Sequence, residues 1–419
     1  MEPRIKEVLV IGGDPSVEWT RYFAGRTTAS GTCVRVTQCA WDAITLTCHA
    51  AESAGGRAAA LVTLPSRCGR SDTFQPDVVL VRSALRAAAP TDHRNVLLGL
   101  AFAGVPCVNS AASLWLCQEK PLVYAALCGV RDRLGNGPDA FPLIAQTYYP
   151  GWRAMTLPPA LPAVAKVGTV HAGLGKMRLD TAQQYFDLRS VVALTGHYVT
   201  TEPCIDWDYD FRLQKIGPHV RGFRRTSDNW KGQGWASRDV DAPVTPRQRA
   251  WLDAVAAALG MDILTIDGVH DRATGRDYIV EVNDSAIGLN ERHRDEDYGH
   301  IVDLVISKLS EIEVAEEARA ATTVPKAVET NPADSDGSAP SDGTDGENQK
   351  DDDAAKETAA ETATTETPTT RVARVDDPTA LALETAQTEI ARLRARVAEL
   401  EADLARSREK KGISKLFFS

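Results

Sequence analysis

The sequence predicts an α/β protein in which a parallel-sheet domain is followed by a second, α+β region. Apolar strand-like runs alternate with helical patterns over residues 1–110, an order typical of a largely parallel sheet. Over residues 111–312, further apolar strands are joined by tight turns. Aromatic residues are frequent up to Tyr298 and then absent until Phe417. Because a core needs large apolar side chains, folding is expected to end near Ser310.

The first domain is expected to contain three buried strands. Residues 7–11, 77–81 and 105–108 are short apolar runs, and helical patterns lie between them. The first run ends in the turn Gly12-Gly13-Asp14-Pro15. Its glycine pair lacks the spacing of a dinucleotide fingerprint, so we assign it no ligand.

The charge of the chain is concentrated in one segment. The chain has 47 Lys and Arg residues against 57 Asp and Glu residues, a formal net charge of -10. Residues 313–370 contain 15 acidic and 4 basic residues, so the remainder is nearly neutral. This charge balance disfavours a protein that binds the phosphate backbone of nucleic acids, and no nucleic-acid partner is expected.

The cysteines and the N-terminus indicate a cytoplasmic protein. None of the eight cysteines forms a CxxC pair, and without a secretory signal they are expected to be reduced thiols. The N-terminal residues have no apolar signal core. The longest apolar run, near residues 96–108, is too short to cross a bilayer.

The C-terminal part is predicted to comprise three segments. Residues 313–377 have the Ala, Thr, Asp, Glu, Ser, Pro and Gly composition of a disordered acidic linker. Residues 378–410 carry apolar heptad positions and predict a short coiled coil, with an exposed lone helix as the alternative. Residues 411–419 form a basic and apolar tail that suits a membrane surface or a partner protein, although it is too small to be an anchor alone.

Two patches of the second region suggest phosphate binding. Lys120 opens a helical stretch, and Lys166 lies inside an apolar strand. A turn with Gly173, Gly175 and Lys176 follows that strand and leads into a basic return strand. The free backbone N–H groups and lysines of such a hairpin suit a polyphosphate. A purely structural glycine hairpin is the alternative, since the spacing is not that of a P-loop.

A third patch suggests a nucleoside contact. Glu202-Pro-Cys204-Ile205 can form an extended connector whose backbone reads an adenine edge. Arg212, on the next strand, could reach a terminal phosphate with its planar guanidinium. A surface hairpin with ordinary ion pairs explains the same residues.

The fourth patch predicts a metal site. Asp267 lies in one apolar strand, and Glu281 and Asn283 lie in the next. Glu281 and Asn283 are two residues apart, so their side chains share one face of that strand. Oxygen ligands without His or Cys suit Mg²⁺, which prefers carboxylates together with nucleotide phosphates.

These four patches, in this order and spacing, resemble an ATP-grasp domain, and the chain resembles the central domain of the synapsins. The similarity is colinear over about residues 4–310. Its most similar stretches are residues 14–19, 22–23, 75–81, 141–150, 190–195, 225–227, 229–231 and 302–308.

The resemblance implies a pre-ATP-grasp domain, a two-lobed ATP-grasp module and a homodimer or higher oligomer. It implies ATP between the lobes and a divalent cation, Mg²⁺ or Ca²⁺, on Asp267, Glu281 and Asn283. In animal synapsins the position of Asp267 varies between an acid and lysine, so the acid here suggests a cation requirement. The nucleotide-binding residues implied are Lys120, Lys166, His171, Gly173, Gly175, Lys176, Glu202, Cys204, Ile205, Arg212 and Lys231.

Two functions follow from this resemblance. The favoured one is a non-catalytic, vesicle-associated scaffold on the cytosolic face of vesicles, because a small-molecule ligase has no use for a heptad tail. The lipid-binding N-terminal segment and the Pro-rich C-terminal region of synapsins are expected to have no counterpart here, which weakens the vesicle assignment. The alternative is an ATP-grasp ligase acting through an acyl phosphate, in which Arg212 and Lys231 stabilise the transferring phosphoryl group.

Overall fold

The computed structural model describes residues 5–49, 59–65, 72–86, 91–135, 137, 139–169, 173–226, 230 and 238–323. All of them belong to one compact unit, residues 1–329. The strands are β1 Ile5–Ile11, β2 Cys33–Cys39, β3 Thr45–His49, β4 Ala59–Leu64, β5 Asp72–Phe74, β6 Val78–Val81, β7 Cys107–Val108, β8 Thr147–Tyr149, β9 Ala163–Val167, β10 Lys176–Leu179, β11 Val199–Pro203, β12 Trp207–Ile216, β13 His219–Thr226, β14 Arg238–Ala242, β15 Ile263–Asp271 and β16 Asp277–Asn283. The helices are α1 Trp19–Phe23, α2 Arg94–Phe102, α3 Ala111–Leu116, α4 Lys120–Leu134, α5 Ala182–Thr195, α6 Pro246–Leu259 and α7 Arg294–Thr323.

The first domain is built on a parallel sheet, as the sequence predicted. Its strand order is β2-β1-β6-β7, and all three pairings are parallel. The three expected strands are β1, β6 and β7. A second sheet, β3-β4-β5, is antiparallel and was not predicted. Its edge strands β3 and β5 have only exposed and half-buried residues, so they lack the continuous apolar runs that identify the buried parallel strands.

Both faces of the parallel sheet are covered. Odd and even residues of β1 point to opposite faces. Val8 and Val10 pack against α1 and α7, whereas Leu9 and Ile11 pack against α2 and α3. The last helix of the ATP-grasp region therefore returns to the first domain and completes its core, so the two domains share a hydrophobic core.

Helix α7 corrects the predicted start of the linker. The helix continues to Thr323, so the first eleven residues assigned to the disordered linker are helical. Glu313 is buried, and its Oε2 accepts a hydrogen bond of 2.8 Å from Ser30 Oγ. Lys6 Nζ lies 3.2 Å from Glu316. These carboxylates bind polar groups of the first domain, among them the buried Lys6, and the low-complexity pattern concealed these contacts. Residues 324–419, including the predicted heptads and tail, lie outside the described residues.

The second region has the two predicted lobes. The first lobe is the antiparallel sheet β10-β9-β11-β8 packed against α5. Helix α5 begins at a capping box, in which Thr181 Oγ1 accepts from the Gln184 backbone N–H and the Gln184 side chain caps the Thr181 backbone. The helix ends at Gly196, whose φ of 69° is left-handed.

The second lobe presents one apolar face and one polar face. Its antiparallel sheet has the order β14-β13-β12-β15-β16. Phe211, Leu213 and Ile266 point to one face and form a core with α4 and α6. Arg212 and Asp267 alternate with them and are directed to the other face. The period-two pattern of the strands thus separates the packing face from the face that carries the candidate site.

Two predictions based on composition can be examined in the described residues. The seven cysteines among them are free thiols, as expected, whereas Cys68 lies outside. None of the helices in this part of the chain is long and apolar enough to cross a membrane.

Candidate functional site

A deep cleft lies on the polar face of the second lobe and extends to the first lobe. It comprises two adjoining cavities of 470 and 820 Å³ that share Lys176, Trp207 and Trp230. The smaller cavity is lined by the predicted metal-site residues, and the larger one by the connector after β11. The four sequence patches therefore surround one continuous space.

The first lobe contributes a row of charged groups. Lys166 Nζ donates to Glu202 Oε2 at 2.8 Å, and Gln146 Nε2 donates to the same oxygen at 2.9 Å. Lys176 pairs with Lys166 across β9 and β10, and its ammonium lies 5.5 Å from the centre of the Trp230 ring. Burial, followed by the charge of Lys166, lowers the pKa of Lys176. Two neighbouring ammonium groups thus favour an anion between the lobes.

The turn between β9 and β10 exposes backbone to the cleft. Gly173 and Gly175 have φ angles of 72° and 71°, a left-handed conformation that side chains disfavour. Gly173 lines the cleft beside Lys120 and Lys176. The predicted antiparallel hairpin is confirmed, whereas His171 lies outside the described residues.

The connector after β11 borders the larger cavity. Cys204 and Ile205 line it together with Glu202. The Cys204 backbone N–H donates to Pro162 O at 3.0 Å, which ties the connector to the residue that precedes β9. Burial raises the pKa of the Cys204 thiol, so the thiol stays neutral at physiological pH. Lys231, another predicted nucleotide-binding residue, lies outside the described residues.

Asp267 is held by two neighbours on the polar face. Arg212 Nε and Nη2 donate to the two Asp267 oxygens at 2.8 and 2.9 Å. Asn283 Nδ2 donates to Asp267 Oδ2 at 2.9 Å. Strand register explains this arrangement, because Arg212 and Asp267 are direct partners on β12 and β15. The structure thus brings together Arg212, which was predicted to reach a phosphate, and two of the three predicted metal ligands.

Glu281, the third predicted metal ligand, is paired with Lys120. Lys120 Nζ donates to Glu281 Oε1 at 2.6 Å. Burial by itself would raise the pKa of Glu281, but the charges of Lys120, Lys166 and Lys176 outweigh it and hold the pKa at about 2. Glu281 is therefore a carboxylate at neutral pH. It lies opposite Asp267 in the register of β15 and β16.

The oxygen set of Asp267, Glu281 and Asn283 suits a hard divalent cation. It holds only two carboxylates, and no cluster of three or more His, Cys, Asp and Glu residues arranged for a metal occurs in the described ranges. Arg212 and Lys120 occupy the carboxylate oxygens in this conformation. A cation here would therefore need phosphate and water oxygens to complete its shell.

Sequence reasoning missed a group of charged residues on the same face of the second-lobe sheet, namely Asp210, Arg225 and Asp239. Arg225 Nε lies 2.9 Å from Asp239 and 3.9 Å from Asp210. Burial is the main cause that raises the pKa of Asp210 to about 6. Asp210 and Arg225 are cross-strand partners, as are Arg225 and Asp239. The alternation Asp210-Phe-Arg212 signals a shared face with Arg212, but only the register identifies the partners.

Comparison with known proteins agrees with this architecture. Residues 1–107 match the family model described as the synapsin pre-ATP-grasp domain, and residues 109–311 match the model described as the synapsin ATP-binding domain. The chain is 32% identical to "Synapsin" from Drosophila melanogaster over 311 residues, which is 73% of this chain and 30% of that protein. The chain thus matches less than a third of the length of this curated relative.

One solved structure shows a similar fold at low sequence identity, with a TM-score above 0.5. D-alanyl-alanine synthetase A from Vibrio cholerae superposes with a TM-score of 0.51 at 9% identity, covering 74% of this chain and 99% of that one. A RimK-domain ATP-grasp protein from Sphaerobacter thermophilus has a TM-score of 0.49 at 18% identity, covering 72% and 99%. The two family matches, which span residues 1–107 and 109–311, show that the chain belongs to the synapsin family, and its fold is that of an ATP-grasp protein preceded by a pre-ATP-grasp domain.

Proposed function

We propose that the cleft binds ATP together with a divalent cation and that this binding sets the conformation of a non-catalytic scaffold. One observation carries the proposal: Lys120 and Lys176 line the smaller cavity of the cleft together with Asp267 and Glu281, and Lys166 lines an adjoining cavity that shares Lys120, Lys176 and Glu281. The lysines can neutralise phosphates, and the carboxylates can hold a cation that bridges phosphate oxygens. Among the described residues that line the cleft, both sets of groups needed for a metal–nucleotide complex are present.

The ion pairs explain why nucleotide and cation should bind together. Lys120 is paired with Glu281, and Arg212 with Asp267. ATP alone would draw the Lys120 and Arg212 side chains away from their partners and leave the carboxylates of Glu281 and Asp267 beside its phosphates. A cation alone would leave the lysine and arginine side chains without partners. When both ligands bind, every released charge finds an opposite charge.

Binding is tested by calorimetric titration of the full chain with ATP in Mg²⁺, in Ca²⁺ and in EDTA. The proposal requires ATP binding that is markedly tighter with a divalent cation, and the two ions identify the preferred one. Equal affinity in EDTA would contradict a bound cation, and no binding under any condition would contradict the nucleotide site.

The scaffold role extends the proposal to partners. The chain would form a homodimer or higher oligomer in the cytoplasm and would recruit a vesicle surface or a partner protein through residues 378–419. Full-length protein and a variant ending at residue 377 are compared by light scattering and by sedimentation with anionic vesicles. Equal oligomer mass and equal vesicle recovery would dismiss the role of this segment.

A ligase is the second candidate, because Arg212 and the cation set are also what an acyl-phosphate mechanism uses. ATP would phosphorylate a carboxylate, and an amine or a thiol would then displace the phosphate. The full chain is incubated with Mg-ATP and pools of small carboxylates and amines. Substrate-dependent release of ADP and phosphate would favour the ligase over the scaffold.

A further inference from the structure

The segment that follows β6, residues 82–86, connects the first domain to the nucleotide cleft. It leaves the carboxyl edge of the parallel sheet, where the Arg82 backbone N–H donates to Ile11 O at 2.8 Å. Arg82 and Arg86, the two arginines at its ends, reach into the ATP-grasp region. Neither belongs to the set of residues that line the two cavities.

Arg82 holds the loop that follows β16, the strand that carries two of the three predicted metal ligands. Its guanidinium donates to the carbonyl oxygens of Ser285 and Ile287, the latter at 2.8 Å. The side chain is buried and has no carboxylate within ion-pair distance among the described residues. Burial lowers the pKa of Arg82 to about 10, so the group remains charged at neutral pH. The two Nη groups of this buried cation are thus held by backbone carbonyls of a single loop, whereas its Nε has no hydrogen-bond partner among the described residues.

That loop is the continuation of β16. Asn283 ends the strand, and Asp284, Ala286 and Ile287 line the smaller cavity. Asp284 Oδ1 accepts from the Ala286 backbone N–H at 2.9 Å, so the loop is short and internally tied. Fixing its two carbonyls therefore fixes the end of the strand that presents Glu281 and Asn283.

Arg86 holds the two patches that were predicted to bind phosphate, which are the start of α4 at Lys120 and the β9-β10 hairpin, in a similar way. Its Nη1 donates to Glu119 Oε1 at 3.0 Å and contacts Thr169 Oγ1 at 3.4 Å. Glu119 is the residue before Lys120, and Thr169 lies at the end of the β9 side of the Gly-rich turn. Thr169 Oγ1 also donates to Gln118 O at 3.2 Å, which ties the two patches to each other.

We infer that Arg82 and Arg86 are positioning residues through which the first domain controls the cleft, Arg82 acting on the cation half and Arg86 on the phosphate half. Neither touches the proposed ligands. Outer partners that orient ligand-bearing elements commonly change metal affinity by about 10–100-fold when they are replaced. The inference rests on the proposed binding of ATP and a cation.

The decisive variant is Arg82→Lys, which keeps the charge but cannot donate to two carbonyls in a fixed fork. The expected result is Mg-ATP binding weakened about tenfold, with ATP binding in EDTA unchanged. Arg86→Ala is expected to weaken ATP binding by the same factor in Mg²⁺ and in EDTA. Arg35 pairs with Glu7 inside the first domain, so Arg35→Lys and Arg35→Ala are the matched controls and should bind as the parent does.

Hydrogen exchange of the unliganded full chain gives a readout that does not require ATP. Arg82→Lys should accelerate exchange of the amides of residues 284–288, whereas Arg35→Lys should leave them unchanged. Parental exchange together with parental Mg-ATP affinity would overturn the role of Arg82. An equal loss of ATP affinity in Mg²⁺ and in EDTA for Arg82→Lys would also overturn the role of Arg82, since it would indicate general damage to the cleft. A parent chain that binds no ATP would refute the proposed function, and the exchange rates would still decide the positioning role.

Discussion

Lys120 and Glu281 lie 161 residues apart in the sequence, and the Lys120 ammonium donates to a Glu281 carboxylate oxygen at 2.6 Å. One belongs to the proposed phosphate site and the other to the proposed metal site. Each therefore neutralises the other until ligands of opposite charge replace it. This relationship makes the two halves of the site depend on each other.

Glu281→Gln should separate the two halves. The amide keeps the shape of the side chain but removes the negative charge that faces the phosphates. We expect ATP binding in EDTA to become tighter than in the parent and Mg-ATP binding to become weaker by about tenfold. Titration calorimetry under both conditions measures this, with the exposed Glu291→Gln as control. A change of ATP affinity in the same direction with Mg²⁺ and with EDTA would refute the proposed contact of Glu281 with the metal.

Asp210→Asn should remove a pH-dependent loss of stability. Burial raises the pKa of Asp210 to about 6 from 3.8, so the folded chain binds this proton more tightly than the unfolded chain. Ionisation of Asp210 therefore destabilises the folded state as pH rises from about 4 through about 6, by on the order of 2 kcal/mol. Urea unfolding at pH 4.5 and 7.0 should show a smaller difference in the variant than in the parent. Asp132→Asn, at an exposed position, should match the parent, and an equal difference in Asp210→Asn would contradict the prediction.

Gly175→Ala tests the backbone of the Gly-rich turn. The φ of 71° at Gly175 costs a residue with a Cβ about 1–2 kcal/mol, so the turn should relax away from its present path. Weaker binding of ATP in both Mg²⁺ and EDTA is expected, measured by the same titrations. Gly151→Ala is the control, because the backbone there is extended and no atom lies within 4 Å of an added Cβ. Unchanged ATP affinity in Gly175→Ala would exclude this turn from the nucleotide site.

Glu316→Gln tests the extension of α7 past the predicted linker boundary. Lys6 is buried, and its ammonium contacts both Asp77 and Glu316. Removing one carboxylate from a buried cation should lower the free energy of unfolding by about 1–3 kcal/mol. Chemical unfolding measures the change, and the exposed neighbour Glu317→Gln should leave it unaltered. Equal stability of the two variants would mean that the helix end contributes nothing to the first domain.

Much of the fold could be predicted because its signals are local. Continuous apolar runs identified the buried parallel strands, and tight turns identified the hairpins around Lys166 and Asp267. Spacing by two residues placed Glu281 and Asn283 on one face of β16. The antiparallel β3-β4-β5 sheet escaped prediction because its edge strands, β3 and β5, are exposed or half-buried and carry no such run.

The sequence by itself determined the family, through similarity along about residues 4–310. It also determined most candidate residues of the cleft and the strands that carry them, since these depend on patterns within a few residues. Only the tertiary structure decided which charges meet. Arg82 reaches Ser285 across 203 positions, and Arg212 faces Asp267 across two strands. Such contacts depend on sheet order and register, which the packing of the whole chain selects. For the same reason, the return of α7 to the first sheet could not be read from its acidic composition.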